Sequence, residues 1–343
     1  MDSKIVVLFG GSSSERRVSV ASAQNVSRTL PHAELWFLAA AGTVHAVAPS
    51  DLLAHQNPFE RDFVPPQPPL EHSIAEALDR ASRDSVFLLA LHGGEGENGQ
   101  LQLELERRRL AFTGSGSVAS ALAFDKQRTR EVVAAHGIRI ARASHLHGGD
   151  AASLQTQLTQ QFRQRGRLVA KPTAEGSSIG LFHLTDEAAI AKAAQAIASA
   201  GISYLIEDFV QGTELTVGVI DDGTGVVSLP ASEVRVEPGR AFDFEGKYLG
   251  RGTREITPAE LPEDLTTVVR ATAVTAHRAL GCYGYSRTDL IANDRVITFL
   301  ETNTLPGLTR TSFIPQQLEA DHRSLASFLE RQLALAIARR DRS

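Results

Sequence analysis

Residues 4–9, KIVVLF, and residues 86–91, VFLLAL, are unbroken apolar runs, closed by Gly10-Gly11 and by His92-Gly93-Gly94. A strand with one wet face alternates apolar and polar side chains, so runs like these point to strands covered on both faces. Helical patterning follows the first run from Ser14 to about Leu30, with short strand candidates near 34–38 and 44–48. Strand, glycine turn and helix in that order build a parallel sheet, and such sheets bind ligands beyond the carboxyl ends of their strands. Gly10, Gly11, Glu15, His92, Gly93 and Gly94 fall at that edge.

At 343 residues the chain exceeds what one hydrophobic core usually supports, so two or three packed units sharing a cleft are expected. A net charge of -5 and a pI near 6.1 leave no basic footprint for nucleic acid or an anionic membrane, and small polar or charged metabolites become the expected ligands. The single cysteine, Cys282, excludes an internal disulfide and a multi-cysteine metal site; core packing is its expected role. The five-residue apolar run near the N-terminus is too short for a signal-peptide core. No window approaches the roughly 18 apolar residues of a membrane helix. A cytoplasmic location is expected.

A helical pattern spans 116 to about 135, with Gly137 as its stop. Beyond it the spacing predicts strand 138–144, helix 150–165, strand 167–171, strand 179–184, helix 185–199 and strand 204–210. The last third reads as strands 213–221 and 225–229, a glycine- and charge-rich loop 237–253, helix 263–280, hairpin 284–303 and helix 315–339.

Between two of these strands lies KPTAEGSSIG, residues 171–180. Glycines let successive backbone N–H groups curl around an anion, with Lys171 adding charge, but the loop lacks a phosphate-loop order, and a solvent-exposed hairpin is the bland reading. The hairpin YSRTDLIANDRVITFLETN offers Asp289, Glu301 and Asn303, hard oxygen donors of the kind magnesium takes. Their convergence depends on register. A two-residue turn at Asn293-Asp294 pairs Asp289 with Thr298 and turns Glu301 away; an odd-length connection or one-residue bulge pairs Asp289 with Phe299 and puts Arg287, Asp289, Glu301 and Asn303 on one face. An edge hairpin with solvated charges is the alternative. Lys126, Lys171, Lys247 and Arg287 beside such ligands would suit transfer of a γ-phosphoryl group. Glu207 and Glu214 bracket FVQG at a strand end, where acceptors could meet an adenine and a ribose, or simply form a strand-to-loop junction.

In sequence order, FGGSSSERRVS (9–19), LHGGEGENGQLQ (91–102), TGSGSVASALAFDK (113–126), KPTAEGSSIG, FEGKY (244–248), SRTDL (286–290) and ETNTLPGLTRTSFIP (301–315) resemble the D-alanine:D-alanine ligases of the ATP-grasp fold, over about residues 4 to 332. The resemblance implies an α/β chain of three parts: an N-terminal parallel α/β substrate domain, 1–115, then two α+β domains that sandwich ATP, a central lid domain, 116–211, and a catalytic domain, 212–343. It implies ATP-driven joining of two D-alanine molecules through an acyl phosphate, for peptidoglycan precursors.

Carried over residue by residue, Lys126 and Lys171 would contact ATP phosphates, and Glu207 and Glu214 the adenosine. Asp289, Glu301 and Asn303 would hold two magnesium ions, with manganese as a substitute and potassium as an activator known in the family. Glu15 would meet the first D-alanine's ammonium and join Ser177 and Tyr248 in a network that closes the loops. Lys247 would reach the γ-phosphate, Arg287 and the Gly307 N–H the developing oxyanion, Ser312 the second D-alanine's carboxylate, and His92 would line the first-substrate pocket. The resemblance also suggests a homodimer and no nucleic-acid or membrane partner. Leu103, Thr311, Phe313, Phe242 and Phe244 depart from the family pattern. A related ligase with another amino acid or a hydroxy acid in one subsite, and a catalytically silent nucleotide-binding regulator, are the competing readings.

Overall fold

The computed structural model describes residues 4–174, 180–236 and 253–342. Strands β1 (Lys4–Gly10), β2 (Glu34–Leu38), β3 (Val44–Val47), β4 (Ser85–Leu89) and β5 (Ala111–Phe112) form a first sheet in the order β3-β2-β1-β4-β5. The central strands are parallel, as the continuous apolar runs require, but β3 joins β2 antiparallel, so the sheet is mixed at one edge. Both faces are covered: Val6, Val7, Leu8 and Phe9 are all fully buried. Helix α1 (Arg16–Thr29) packs on β1; α2 (Pro49–Ala54), α3 (Ile74–Arg80), α4 (Gly94–Glu97) and α5 (Gln100–Arg107) follow in the same part of the chain.

The helical stretch read as continuous from 116 is two helices, α6 (Ser117–Phe124) and α7 (Lys126–Ala135). Asp125 breaks it, because its carboxylate caps α7 by accepting from the N–H groups of Gln127 and Arg128. Lys126 therefore opens a helix instead of sitting late in one.

The central sheet has order β6-β9-β7-β8, from β6 (Ala143–Leu146), β7 (Leu168–Pro172), β8 (Phe182–Leu184) and β9 (Tyr204–Asp208), under helices α8 (Ala151–Arg165) and α9 (Glu187–Ala200). The strand expected at 138–144 starts five residues later, since Arg139 and Ile140 instead bridge to Phe299 of another sheet.

That third sheet runs β13-β12-β10-β14-β15, with β11 on β10. Its strands are β10 (Thr213–Asp221), β11 (Val226–Ser228), β12 (Ser232–Val236), β13 (Thr253–Ile256), β14 (Tyr285–Asn293) and β15 (Val296–Asn303). One face packs under α10 (Glu263–Ala279), where Leu215, Val217, Leu290 and Phe299 meet Val269, Ala273 and Ala276, joined by Ala123 and Val133 of α6 and α7. Cys282 packs against this core, and burial pushes its thiol up to about 12, which suits packing and no nucleophilic role. The expected C-terminal helix is two, α11 (Phe313–Ala320) and α12 (Leu325–Arg340), and α12 buries Phe328, Leu329 and Leu333 in the same core as the first sheet. Among the described residues no helix is long and apolar enough to cross a membrane.

Candidate active site

The hairpin register decides what its side chains can do together. Its turn is Asp294-Arg295, one residue later than the expected Asn293-Asp294, with Asn293 opposite Val296 and Leu290 opposite Phe299. Between Leu290 and Asp289 the register shifts by one, because Leu300 is an extra residue on β15. Asp289 then stands opposite Glu301, and Arg287 opposite Asn303. The expected pairing of Asp289 with Phe299 is thus corrected, while the shared face holds: an even turn plus a bulge does what an odd turn would have done. Glu214 and Thr216 of β10, opposite Ile291 and Asp289, lie on that face as well.

Arg287 grips Asp289 with two hydrogen bonds, Nε to Oδ1 at 2.9 Å and Nη2 to Oδ2 at 2.8 Å, and Thr216 donates to Oδ1 at 2.6 Å. A planar guanidinium and a carboxylate held in this fork leave little freedom to either side chain. Lys126 Nζ, at the start of α7, lies 3.4 Å from Glu301 Oε2. Two carboxylates and an amide suit a hard divalent cation. Among the described residues Asn303 Nδ2 is buried with no hydrogen-bond partner, which leaves a donor for an incoming ligand oxygen. The Asn303 amide oxygen and the two carboxylates give the all-oxygen donor set that magnesium takes.

The opposite wall comes from the loops after β1 and β4. One cavity is lined by Glu15, His92, Glu97, Glu255, Arg287, Glu301, Asn303, Gly307, Thr311, Ser312 and Phe313 among others, and so unites seven of the candidate residues from distant parts of the chain. Gly93 has φ +64 and lies so close to Glu15 that a Cβ there would sit 2.5 Å from Oε2. At Gly307 a Cβ would be 2.6 Å from Ser312 Oγ, so a side chain there would push that hydroxyl from its place.

His92 is buried, and its ring uses both nitrogens: Nδ1 donates to the Leu305 carbonyl at 2.9 Å and Nε2 accepts from Ser22 Oγ at 2.9 Å. Burial holds its pKa down at about 4, so the ring is neutral. Ser22 Oγ also accepts from Leu308 N at 3.2 Å, and Asn25 Nδ2 donates to Leu308 O at 2.9 Å. Glu97 accepts from Gly93 N at 2.7 Å and Leu305 N at 3.2 Å. The segment Leu305–Leu308 is therefore held at both ends by side chains of α1 and the β4 loop, with Gly307 between the grips. Burial, with the nearby Glu15 carboxylate, raises Glu97 to about 7.

Lys171 is placed differently from Lys126. Its Nζ meets Glu207 Oε2 at 2.8 Å, while Arg130 Nη1 meets Oε1 at 2.5 Å, all three side chains being buried. Lys126 and Lys171 are still linked, through the hydrogen bond from Lys126 N to Thr173 O at 3.0 Å. A larger cleft of about 1000 Å³, lined by Arg130, Arg139, Arg142, Phe209 and Asp294 among others, contains none of the expected site residues. Ser177, Lys247 and Tyr248 lie outside the described residues, as do Phe242 and Phe244.

Sequence reasoning missed Arg130, Glu97, Ser22, Asn25, Thr216 and Glu255. Arg130 was within reach, since it stands four residues after Lys126 and so shares its helix face. Glu97 lies in the glycine-flanked GEGEN beyond β4, at the edge already singled out.

Two family models cover most of the chain: "D-ala D-ala ligase N-terminus" matches residues 4–115 and "D-ala D-ala ligase C-terminus" residues 132–333. The chain belongs to the D-ala D-ala ligase family. It is 34% identical to the D-alanine--D-alanine ligase of Leptospira interrogans, with 92% of this chain and 93% of the relative covered. It is 36% identical to that of Nitrosomonas europaea, with 92% of each covered. The solved D-alanine-D-alanine ligase of Coxiella burnetii superposes with a TM-score of 0.80 at 25% identity, covering 99% of this chain and 96% of that one. The VanG D-Ala:D-Ser ligase of Enterococcus faecalis shares the fold, with a TM-score of 0.81 at 24% identity over 98% of this chain and 100% of that one. The α/β, ATP-grasp architecture expected from the sequence is thus the one this family has.

Proposed function

We propose that this D-ala D-ala ligase family member uses ATP to join two D-alanine molecules into D-alanyl-D-alanine through a D-alanyl phosphate, for peptidoglycan precursor synthesis in the cytoplasm. The reading rests above all on one observation: Arg287, Asp289, Glu301 and Asn303 share a sheet face, and three of them, Arg287, Glu301 and Asn303, meet Glu15, His92 and Ser312 around one cavity.

In the first step the carboxylate of one D-alanine attacks the γ-phosphorus of ATP, the bond from that phosphorus to the β–γ bridging oxygen breaks, and ADP leaves with the electron pair, giving D-alanyl phosphate. Glu15 receives that D-alanine's ammonium and fixes the direction of its carboxylate. Two anions approach each other, so the cations Lys126, Lys171 and Lys247 offset their repulsion along the phosphates, with Glu207 and Glu214 at the adenosine. Asp289, Glu301 and Asn303 would hold two magnesium ions, or manganese in their place, which neutralise phosphate oxygens when bound; potassium would act as an activator.

In the second step the amine of the other D-alanine, its carboxylate on Ser312, attacks the acyl carbon. Arg287 and the Gly307 N–H stabilise the oxyanion, and phosphate departs. Ser177, Tyr248 and Glu15 would close loops over the site, because water would hydrolyse the acyl phosphate. We assign residues 1–115 to a substrate domain, 116–211 to a lid domain and 212–343 to a catalytic domain, in a homodimer.

The test is incubation with ATP, magnesium and single D- or L-amino acids, with phosphate and products measured. D-alanine is expected to give dipeptide and phosphate in equal amounts. No phosphate release with D-alanine would overturn the assignment.

A further inference from the structure

Two amino acids entering one cavity bring two ammonium groups and two carboxylates. Anionic oxygens find Arg287, the Gly307 N–H and Ser312, and one ammonium finds Glu15. The nitrogen of the second amino acid has a further requirement: as an ammonium it has no lone pair, so it must lose a proton before it can attack.

Glu255 answers that need by position. The registers Glu255 with Val234, Val234 with Glu214, and Glu214 with Ile291 carry it across the third sheet onto the face of Asp289. It lines the cavity beside Arg287, Gly307, Thr311 and Ser312. Its Oε2 accepts from Gln316 Nε2 at 2.7 Å, the same nitrogen donates to Thr311 O at 2.7 Å, and Gln316 Oε1 accepts from Thr257 Oγ1 at 3.2 Å. The carboxylate is thus oriented on one oxygen, and its Oε1 takes no hydrogen bond among the described residues. Burial raises its pKa, with the Gln316 hydrogen bond and the Arg287 charge opposing, a direction that strengthens it as a base.

We propose that Glu255 is a catalytic residue of the second step: it receives the ammonium of the second amino acid and takes one of its protons. The freed lone pair forms the C–N bond, the bond from carbon to phosphate oxygen breaks, phosphate leaves with that electron pair, and one of the two protons left on nitrogen passes to phosphate while the other stays as the amide N–H. This rests on the ligase reading above.

The acyl phosphate can be intercepted by hydroxylamine, which needs no base, so hydroxamate reports the first step and dipeptide both steps. In Glu255→Gln, dipeptide formation is expected to fall about 100-fold while hydroxamate stays within about threefold of the parent. Glu255→Asp should recover part of the loss. In the parent, the acid limb of the dipeptide pH profile should carry one ionisation that Glu255→Gln lacks; the other charged groups around the cavity, Arg287, Glu15, Glu97, His92 and Glu301, are common to both. Equal loss of dipeptide and hydroxamate, or no loss of dipeptide, would overturn the role of Glu255. A parent protein that yields neither product would sink the ligase reading, and this inference with it.

Discussion

The Leu305 carbonyl accepts a hydrogen bond from His92 Nδ1 at 2.9 Å, across 213 residues of chain. A carbonyl can only accept, so the ring proton is on Nδ1, and Nε2 is left to accept from Ser22. His92 was expected to line the first-substrate pocket, and it does border the cavity. Its hydrogen bonds, however, go to Leu305, in the strap that carries Gly307, and to Ser22 of α1. Helix α1 and the strap Leu305–Leu308 are thereby held as one unit.

Ser22→Ala removes the donor to His92 and the acceptor for Leu308 N. With about 1 kcal/mol per hydrogen bond, kcat is expected to fall about tenfold. Steady-state kinetics should leave the KM for ATP near the parent value, because the strap bears on the second substrate. Asn25→Ala should act in the same direction.

Glu97 and His92 give opposing pH slopes. Glu97, raised to about 7 from the ordinary 4.5 of a glutamate, binds a proton in the folded state that the unfolded chain has released, so its contribution to stability falls as pH rises through that interval. His92, lowered to about 4 from 6.5, makes stability rise with pH between those values. Glu97→Gln removes the Glu97 slope and leaves that of His92 in place. Relative to the parent, its unfolding free energy in urea should climb by up to about 3 kcal/mol between the two Glu97 values.

Arg287→Lys keeps the charge but loses the two-point grip on Asp289. Turnover is expected to fall by about 100-fold or more, the scale of losing one oxyanion donor. The dipeptide rate against the melting temperature separates this from unfolding, since the core is untouched.

Glu207→Ala would strand Arg130 and Lys171, two buried cations that share its carboxylate. Removing one partner of a buried pair typically costs about 3–5 kcal/mol. Thermal denaturation should show a large loss, reduced in Glu207→Gln, whose amide oxygen still accepts from one cation.

The sequence made the paired hairpin face legible, because strand parity restricts side chains to two faces and only one choice gathers Arg287, Asp289, Glu301 and Asn303. It could not place the bulge at Leu300: a bulge depends on how two strands settle, and no residue type there demands it. The break at Asp125 was hidden for a different reason, since helical spacing persists on both sides of a capping residue. Glu255 stayed out of sight because β12 and β13 went unread beside a loop rich in glycine and charge. The grips on Leu305–Leu308 join residues more than two hundred positions apart, and no local pattern encodes them.

The hairpin carboxylates Asp289 and Glu301 are proposed to meet a divalent cation together with a nucleotide. Manganese binding, titrated by electron paramagnetic resonance with a non-hydrolysable ATP analogue, reads this directly in the parent and in Asp289→Asn/Glu301→Gln. Nucleotide-dependent manganese binding in the parent and its loss in the double variant are expected. Undiminished binding in the double variant, with its fold intact, would contradict the account.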